Sequence, residues 1–404
     1  MPGVFSLVSF VLGFAIVAAA WFDVLVTALH PSVESPFSAR FHRAVWYAVR
    51  HVSRVLPGGS CRSALSWTLP LSVGGLILTW MGVLFVGFAL MYLPGMAAGS
   101  HAVAGGYVSN GGAFRSGGAP LSWGDAFYYS GVCLTSVGFG DIVPLQAPLR
   151  VLSIAQGLSS LIFIGVAVTY VLAVFPVLPD AVVLATSLNE ETNGDVDAIP
   201  MVRRYLSADA AEPLAQRCRD LSDQLMRLSQ AHTTHPVLFY AHPVHAERSF
   251  LRILIVAQRL VTLLRYGLRH ADYPTLVQDP RIIGLEESLI LVLRTLGHSL
   301  HLTLHPSDVG PDASARLRRE YNILLTGLRD AGLRDAGLRG DLLAQRQDLH
   351  AYIRFRLVTD PYIEAYGANS GYDDDELWGA HPPLRGTTAP IPIMEEDEGA
   401  DAAG

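Results

Sequence analysis

The stretch of this chain with the most evident chemistry runs from Asp125 to Pro144 and reads DAFYYSGVCLTSVGFGDIVP. Two adjacent hydroxyls, Thr135 and Ser136, precede Gly138 and Gly140, which alternate with Val137 and Phe139, and the carboxylate of Asp141 closes the run. Glycine visits backbone angles that other residues resist, so alternating glycines let successive carbonyls be aimed as a site requires. Nothing here implies covalent chemistry. The chain has no phosphate loop, nucleophile elbow or HExxH, and we expect no enzyme. A second constellation, His232, His235, His242 and His245 with Glu247 nearby, has spacing compatible with a metal site, and His298, His301 and His305 form a helical-face trio. Either group could also sense pH, but Pro236 and Pro243 favour ordinary turn histidines. Cys61, Cys133 and Cys218 are odd in number and lack CxxC spacing, so thiols are expected rather than a disulfide framework or a cysteine zinc site.

The 125–144 segment resembles the pore helix and selectivity filter of potassium channels: an aromatic pair (Tyr128-Tyr129), two hydroxyl residues (Thr135-Ser136), then VGFGD from Val137 to Asp141, at the family's spacing. The resemblance implies ion binding by Ser136, Val137, Gly138, Phe139 and Gly140. Carbonyls of Ser136, Val137, Gly138 and Phe139 would replace the hydration shell of K+, the permeant ion, with the Ser136 hydroxyl as the innermost ligand. Thr135, Asp141, Tyr128 and Tyr129 would support the filter, while Val137 and Phe139 side chains face away from the ion. Ser136 stands where threonine is usual, Phe139 where tyrosine is commoner, and the tyrosine pair where two tryptophans are common. Because Phe139 lacks a phenolic oxygen, we expect the Tyr128 hydroxyl to bond Asp141 behind the filter instead.

A closed ring around one axial ion needs four such loops and this chain has one, so the resemblance implies a homotetramer. In the family the helix after the filter lines the cavity and gates. Here Gly157 and Gly165 lower the cost of a bend, with Ile162, Val166 and Thr169 near the cavity or bundle crossing. No span carries arginines at every third position, so voltage sensing is not expected. The alternatives are a nonselective cation channel, if Ser136 and Phe139 loosen the filter, and a membrane-anchored scaffold that does not conduct.

The elements that must hold this segment are apolar. The 404 residues are 50% hydrophobic and 16% charged, with no lysine and a formal net charge of -7. The apolar residues concentrate before residue 180. About 20 mostly apolar residues cross a bilayer, and stretches at 4–29, 66–93 and 149–178 suffice. A secretory signal is the other reading of the first, but Met1 to Val4 carry no positive charge. In that first span Asp23, beside Trp21, is expected to reach the headgroup region. The loop after it carries Arg40, Arg43, Arg50, Arg54 and Arg62 against Glu34, which places it on the inner side. The N-terminus is then outside and the C-terminus cytoplasmic, in a multi-pass protein of a bacterial-type plasma or inner membrane. Phe41, Val45, Trp46, Val49, Val52 and Val55 recur at helical spacing, as in a helix lying on the membrane surface.

The expected fold is therefore an all-α membrane protein: three transmembrane helices with a re-entrant pore helix and filter, followed by a helical cytoplasmic domain. Its parts are a transmembrane helix (1–30), a linker with an interfacial helix (31–65), a pore domain (66–178, pore helix and filter at 122–141), the cytoplasmic domain (179–368) and a disordered acidic tail (369–404). The glycine-rich 94–120 reads as a featureless outer loop, and helix is expected to stop at Pro176 and Pro179. Farther on, Leu254, Ala257, Val261, Leu264 and Leu268 form a stripe, with Arg252, Arg259 and Arg265 off it. The partners expected are the lipid bilayer and three further copies, not nucleic acid, since the arginines are scattered. No GxGxxG or EF-hand loop appears, so no organic cofactor is expected and any regulatory ligand is unknown.

Overall fold

A computed structural model describes residues 2–30, 35–55, 63–96, 100–103, 107–110, 112–117, 121–299, 313–337 and 342–370. Cys61, His301, His305 and the acidic tail from 371 onward lie outside the described residues. The chain divides into two compact units, Met1–Ala48 with Leu69–Phe175, and Val49–Thr68 with Pro176–Gly404.

In the first unit the elements run α1 (Pro2–Leu29), α2 (Pro36–Val55), α3 (Thr68–Met96), β1 (Ser100–Val103), β2 (Tyr107–Asn110), β3 (Phe114–Ser116), α4 (Trp123–Leu134), β4 (Ile142–Pro144) and α5 (Ala147–Val174). Among the described residues three helical stretches, Val4–Leu29, Thr68–Met96 and Ala147–Glu191, are long and apolar enough to cross a membrane. The third has 45 residues, about twice what a bilayer needs, so only part of it can span. Trp80, Leu84, Phe88 and Tyr92, four apart on α3, form the buried stripe of this unit. α1 approaches α3 closely at Gly13 and Gly87: a Cβ at Gly13 would lie 2.4 Å from the Gly87 carbonyl, so only glycine fits there.

Three expectations for this unit change. It is not all-α: the four short strands form an antiparallel sheet in the order β1-β2-β3-β4, with Asn110 paired to Phe114 and Ser116 to Ile142. Side-chain bonds from Asn110, rather than a long alternating pattern, fix its position. The buried Asn110 amide donates to the carbonyls of Met96 (3.0 Å) and Leu121 (3.3 Å), and its oxygen accepts from the Leu121 N–H (3.3 Å). Asp23 is enclosed by the protein rather than free at its surface. It is buried, and Oδ2 accepts from the Trp80 indole N–H and from Ser38 Oγ at 2.8 Å, while Thr27 donates to Ser38 at 2.9 Å. α2 in turn is held by Ser38, His42 and Trp46, all buried, whereas Val52 of the expected stripe is exposed. A carboxylate in apolar surroundings needs donors, and α2 brings one.

From Pro176 the second unit resumes in helix at once, where an exit from helix was expected before the helical domain. α6 (Val177–Glu191) restarts directly after Pro176, because a proline in the first turn removes only an N–H that has no intrahelical partner. There follow α7 (Ile199–Ser207), α8 (Ala211–Thr234), α9 (Phe250–Thr262), a π-helical turn (Leu263–Gly267), α10 (Pro274–Val277), α11 (Pro280–Ser299), α12 (Ala313–Asp330) and α13 (Leu342–Ser370). α9 is not amphipathic in place. Every residue from Phe250 to Thr262 is buried, Arg252 and Arg259 included. Arg252 donates to the Gly194 carbonyl at 3.0 Å, which returns part of its lost hydration. Beside α9 an ionic cluster is buried: Arg356 donates to Asp360 (2.7 Å), Glu320 (3.1 Å) and the Tyr352 hydroxyl (2.9 Å), and Gln258 donates to Asp360 (2.6 Å).

Candidate ion-conducting site

The segment singled out by sequence begins as α4. Ser122 caps it, with the Asp125 carboxylate accepting from the Ser122 backbone N–H (2.5 Å) and hydroxyl (2.7 Å). At its other end Thr135 folds its hydroxyl back onto the Gly131 carbonyl at 2.8 Å. The backbone then alternates. Ser136, Gly138 and Gly140 have φ of 57°, 62° and 77°, whereas Val137 and Phe139 between them do not have positive φ. A left-handed residue at every second position reverses the usual alternation of carbonyl directions, so consecutive C=O groups can be brought to one side. Ser136 holds this conformation without being glycine, at a cost of roughly 1–2 kcal/mol.

Residues 135 to 141 are all exposed in the single chain, and Phe139 is 68% exposed. The expected bond is present: Tyr128 Oη donates to Asp141 Oδ2 at 2.7 Å, and Asp141 Oδ1 accepts from the Ile142 N–H at 3.1 Å. Tyr129 turns the other way. Its ring is buried against Tyr92 and Phe114, with centroids 4.9 and 5.4 Å away, and its hydroxyl meets Ser153 Oγ at 2.8 Å.

Sequence reasoning missed the polar residues of α5 that meet α4. Besides Ser153, Gln156 Nε2 donates to the Ser130 carbonyl (2.9 Å), and Ser160 Oγ donates to the Leu134 carbonyl. The signal was there to read, since polar groups inside an apolar span cost free energy unless bonded. Of the gate candidates, Ile162 and Thr169 are exposed in the single chain and Val166 is half-buried. α5 runs unbroken through Gly157 and Gly165, and a Cβ at either would meet nothing within 4 Å. Close packing within the chain therefore does not explain these two glycines.

The histidine constellation does not assemble. His232 is buried, stacked on Phe250 with centroids 4.5 Å apart and bonded through Nδ1 to the Leu228 carbonyl at 2.8 Å. Burial pushes its pKa down to about 4 and lowers that of His235. His242 Nδ1 meets the Tyr240 carbonyl and His245 pairs with Glu247. Among the described residues no three His, Cys, Asp or Glu side chains form a group that could hold a metal ion. Cys133 and Cys218 are free thiols.

Comparison with known proteins adds three findings. Residues 79–176 match the family model described as an ion channel. The chain is 21% identical over 300 residues to a Bacillus subtilis (strain 168) protein named "Uncharacterized membrane protein YdjJ", a region covering 74% of this chain and 80% of the relative. No solved structure matches it. The chain is thus similar to a membrane protein over most of its length, and the part of it holding the 135–141 segment is similar to ion channels.

Proposed function

We propose that this chain is one subunit of a homotetrameric, potassium-selective channel whose filter is Ser136 to Gly140. The observation that carries the reading is the alternation of left-handed φ at 136, 138 and 140, directly after a capped helix and between two apolar ones. Carbonyls of Ser136, Val137, Gly138 and Phe139 are the ligands, with the Ser136 hydroxyl at the inner end, and four copies close the ring. Exposure of Phe139 and Val137, at 68% and 55%, fits an assembly in which other subunits cover them. The end of α4 adds partial negative charge beside the inner end of the filter, which favours a cation. Arginines at 40, 43, 50, 54 and 62 favour an inward-facing loop, and so an outside N-terminus and a cytoplasmic second unit. Conduction is passive, and α5 together with the second unit sets the gate.

Purified protein in liposomes provides the test. Barium-sensitive potassium flux down a gradient, with little sodium flux, is the expected result. Equal sodium flux would replace the potassium reading with a nonselective channel. Absence of flux, both from the intact protein and after removal of the region beyond Pro179, would leave the non-conducting scaffold.

A further inference from the structure

Three polar residues of α5, Ser153, Gln156 and Ser160, stand at i, i+3 and i+7 on one face of a largely apolar helix. Each reaches α4: Ser153 to the Tyr129 hydroxyl, Gln156 to Ser130 and Ser160 to the Leu134 carbonyl. The points reached climb α4 toward its C-terminal end, where Thr135 and Ser136 follow at once.

The middle contact is the most complete. Gln156 is fully buried, and its Oε1 accepts from the equally buried Tyr92 hydroxyl at 2.9 Å. Its Nε2 donates to both the Ser130 carbonyl (2.9 Å) and Ser130 Oγ (3.0 Å), and that hydroxyl donates onward to the Phe85 carbonyl at 2.8 Å. One amide therefore ties α3, α4 and α5 together. A leucine would fill a similar volume with no polar group to satisfy, so packing alone does not account for a glutamine here. What the amide adds is direction. Its planar, two-ended bonding fixes both the rotation of α4 and its height against α5, which dispersion contacts leave loose.

We infer that Gln156 is a positioning residue for ion selectivity: through Ser130 it sets where α4 ends, and hence the spacing of the carbonyls from Ser136 to Phe139. It touches no ion. This rests on the reading of 136–140 as a potassium filter. It also makes α4 and the α5 segment from Ser153 to Ser160 one mechanical piece, so displacement of that segment displaces the filter.

The test uses the full chain in liposomes and reads the potassium-to-sodium permeability ratio of Gln156→Leu, Tyr92→Phe and the double variant, each first shown to assemble like the wild type by size-exclusion chromatography. Gln156→Leu is expected to lower the ratio about tenfold, the equivalent of one buried hydrogen bond, and Tyr92→Phe about threefold. The double variant should be no less selective than Gln156→Leu alone, since both substitutions break one linkage. If Gln156→Leu fails to assemble, Tyr92→Phe decides, because it keeps the ring and removes only the bond. Ratios equal to wild type in the assembled variants would overturn the role of Gln156 while leaving the potassium filter standing. A wild type that passes sodium as readily as potassium, or passes neither, would overturn the filter reading and this inference with it.

Discussion

Replacing Gly138 with alanine isolates the contribution of backbone conformation. Gly138 has φ of 62°, and a Cβ built there meets nothing within 4 Å, so within the chain the substitution creates no clash. What remains is the penalty of holding an L-residue in the left-handed region, roughly 1–2 kcal/mol. In the proposed ring of four subunits, adopting one shape together, the sum is about 4–8 kcal/mol, which lowers the population of the aligned ring about 10^3- to 10^6-fold. Potassium flux into liposomes, with barium block defining the specific part, should fall at least a thousandfold, about the lower bound of that range. Circular dichroism should show unchanged helix, since residue 138 lies outside the helices. Gly157→Ala is the contrast. It too is unobstructed, but it sits inside α5, where alanine stabilises a helix by roughly 0.5–1 kcal/mol over glycine. That variant should melt higher and keep its selectivity. Gly138→Ala passing potassium within tenfold of wild type, at wild-type selectivity, would refute the assignment of the carbonyl array.

Further expectations can be checked alongside it. Tyr128→Phe loses the 2.7 Å bond to Asp141, and its potassium flux should run down faster during sustained conduction than that of the wild type, as followed in a flux time course. His232 is held neutral by burial with a pKa of about 4 against an ordinary 6.5, so below about 6.5 the unfolded chain takes up a proton that the folded one refuses. Stability is therefore lost as pH falls from about 6.5 to about 4, by about 3 kcal/mol in all, and His232→Phe should flatten that part of a melting-versus-pH curve. Arg356→Met strands the buried carboxylates of Asp360 and Glu320 and should cost about 3–5 kcal/mol in denaturant unfolding.

Much of this architecture is legible in the amino-acid sequence. The apolar helices follow from apolar length, and the positive φ at 138 and 140 from glycine, while the Tyr128 to Asp141 bond is expected from the resemblance to potassium channels, where a tyrosine is commoner at the place of Phe139. The features that escape a sequence reading depend on partners far away in the chain. The sheet rests on strands of three or four residues placed by Asn110, and such strands are too short to show alternation. Asp23 resembles an interfacial group because nothing in its neighbourhood announces Trp80, 57 residues on. Arg252 and Arg259 lie off an apolar stripe, which normally means solvent. Here the helix is enclosed on all sides, and the Arg252 guanidinium finds a loop carbonyl instead. Gln156 is visible as a polar residue in an apolar span, but only the fold names Ser130 and Tyr92 as its partners.

The strand β4 begins one residue after Asp141, and its pairing with β3 continues into the bond from the Leu145 N–H to the Ala113 carbonyl at 2.8 Å. The short run from Thr135 to Asp141 is therefore a bridge with two abutments, a helix at one end and a sheet at the other. A span fixed at both ends cannot lengthen or unwind by passing slack along the chain. It can only change by rotation of peptide planes between its ends. Any reshaping of the site must then be local, unless the sheet slips its register. A slip of one residue would turn every side chain of β4 to the opposite face, so the sheet makes the gradual loss of this geometry an all-or-none event.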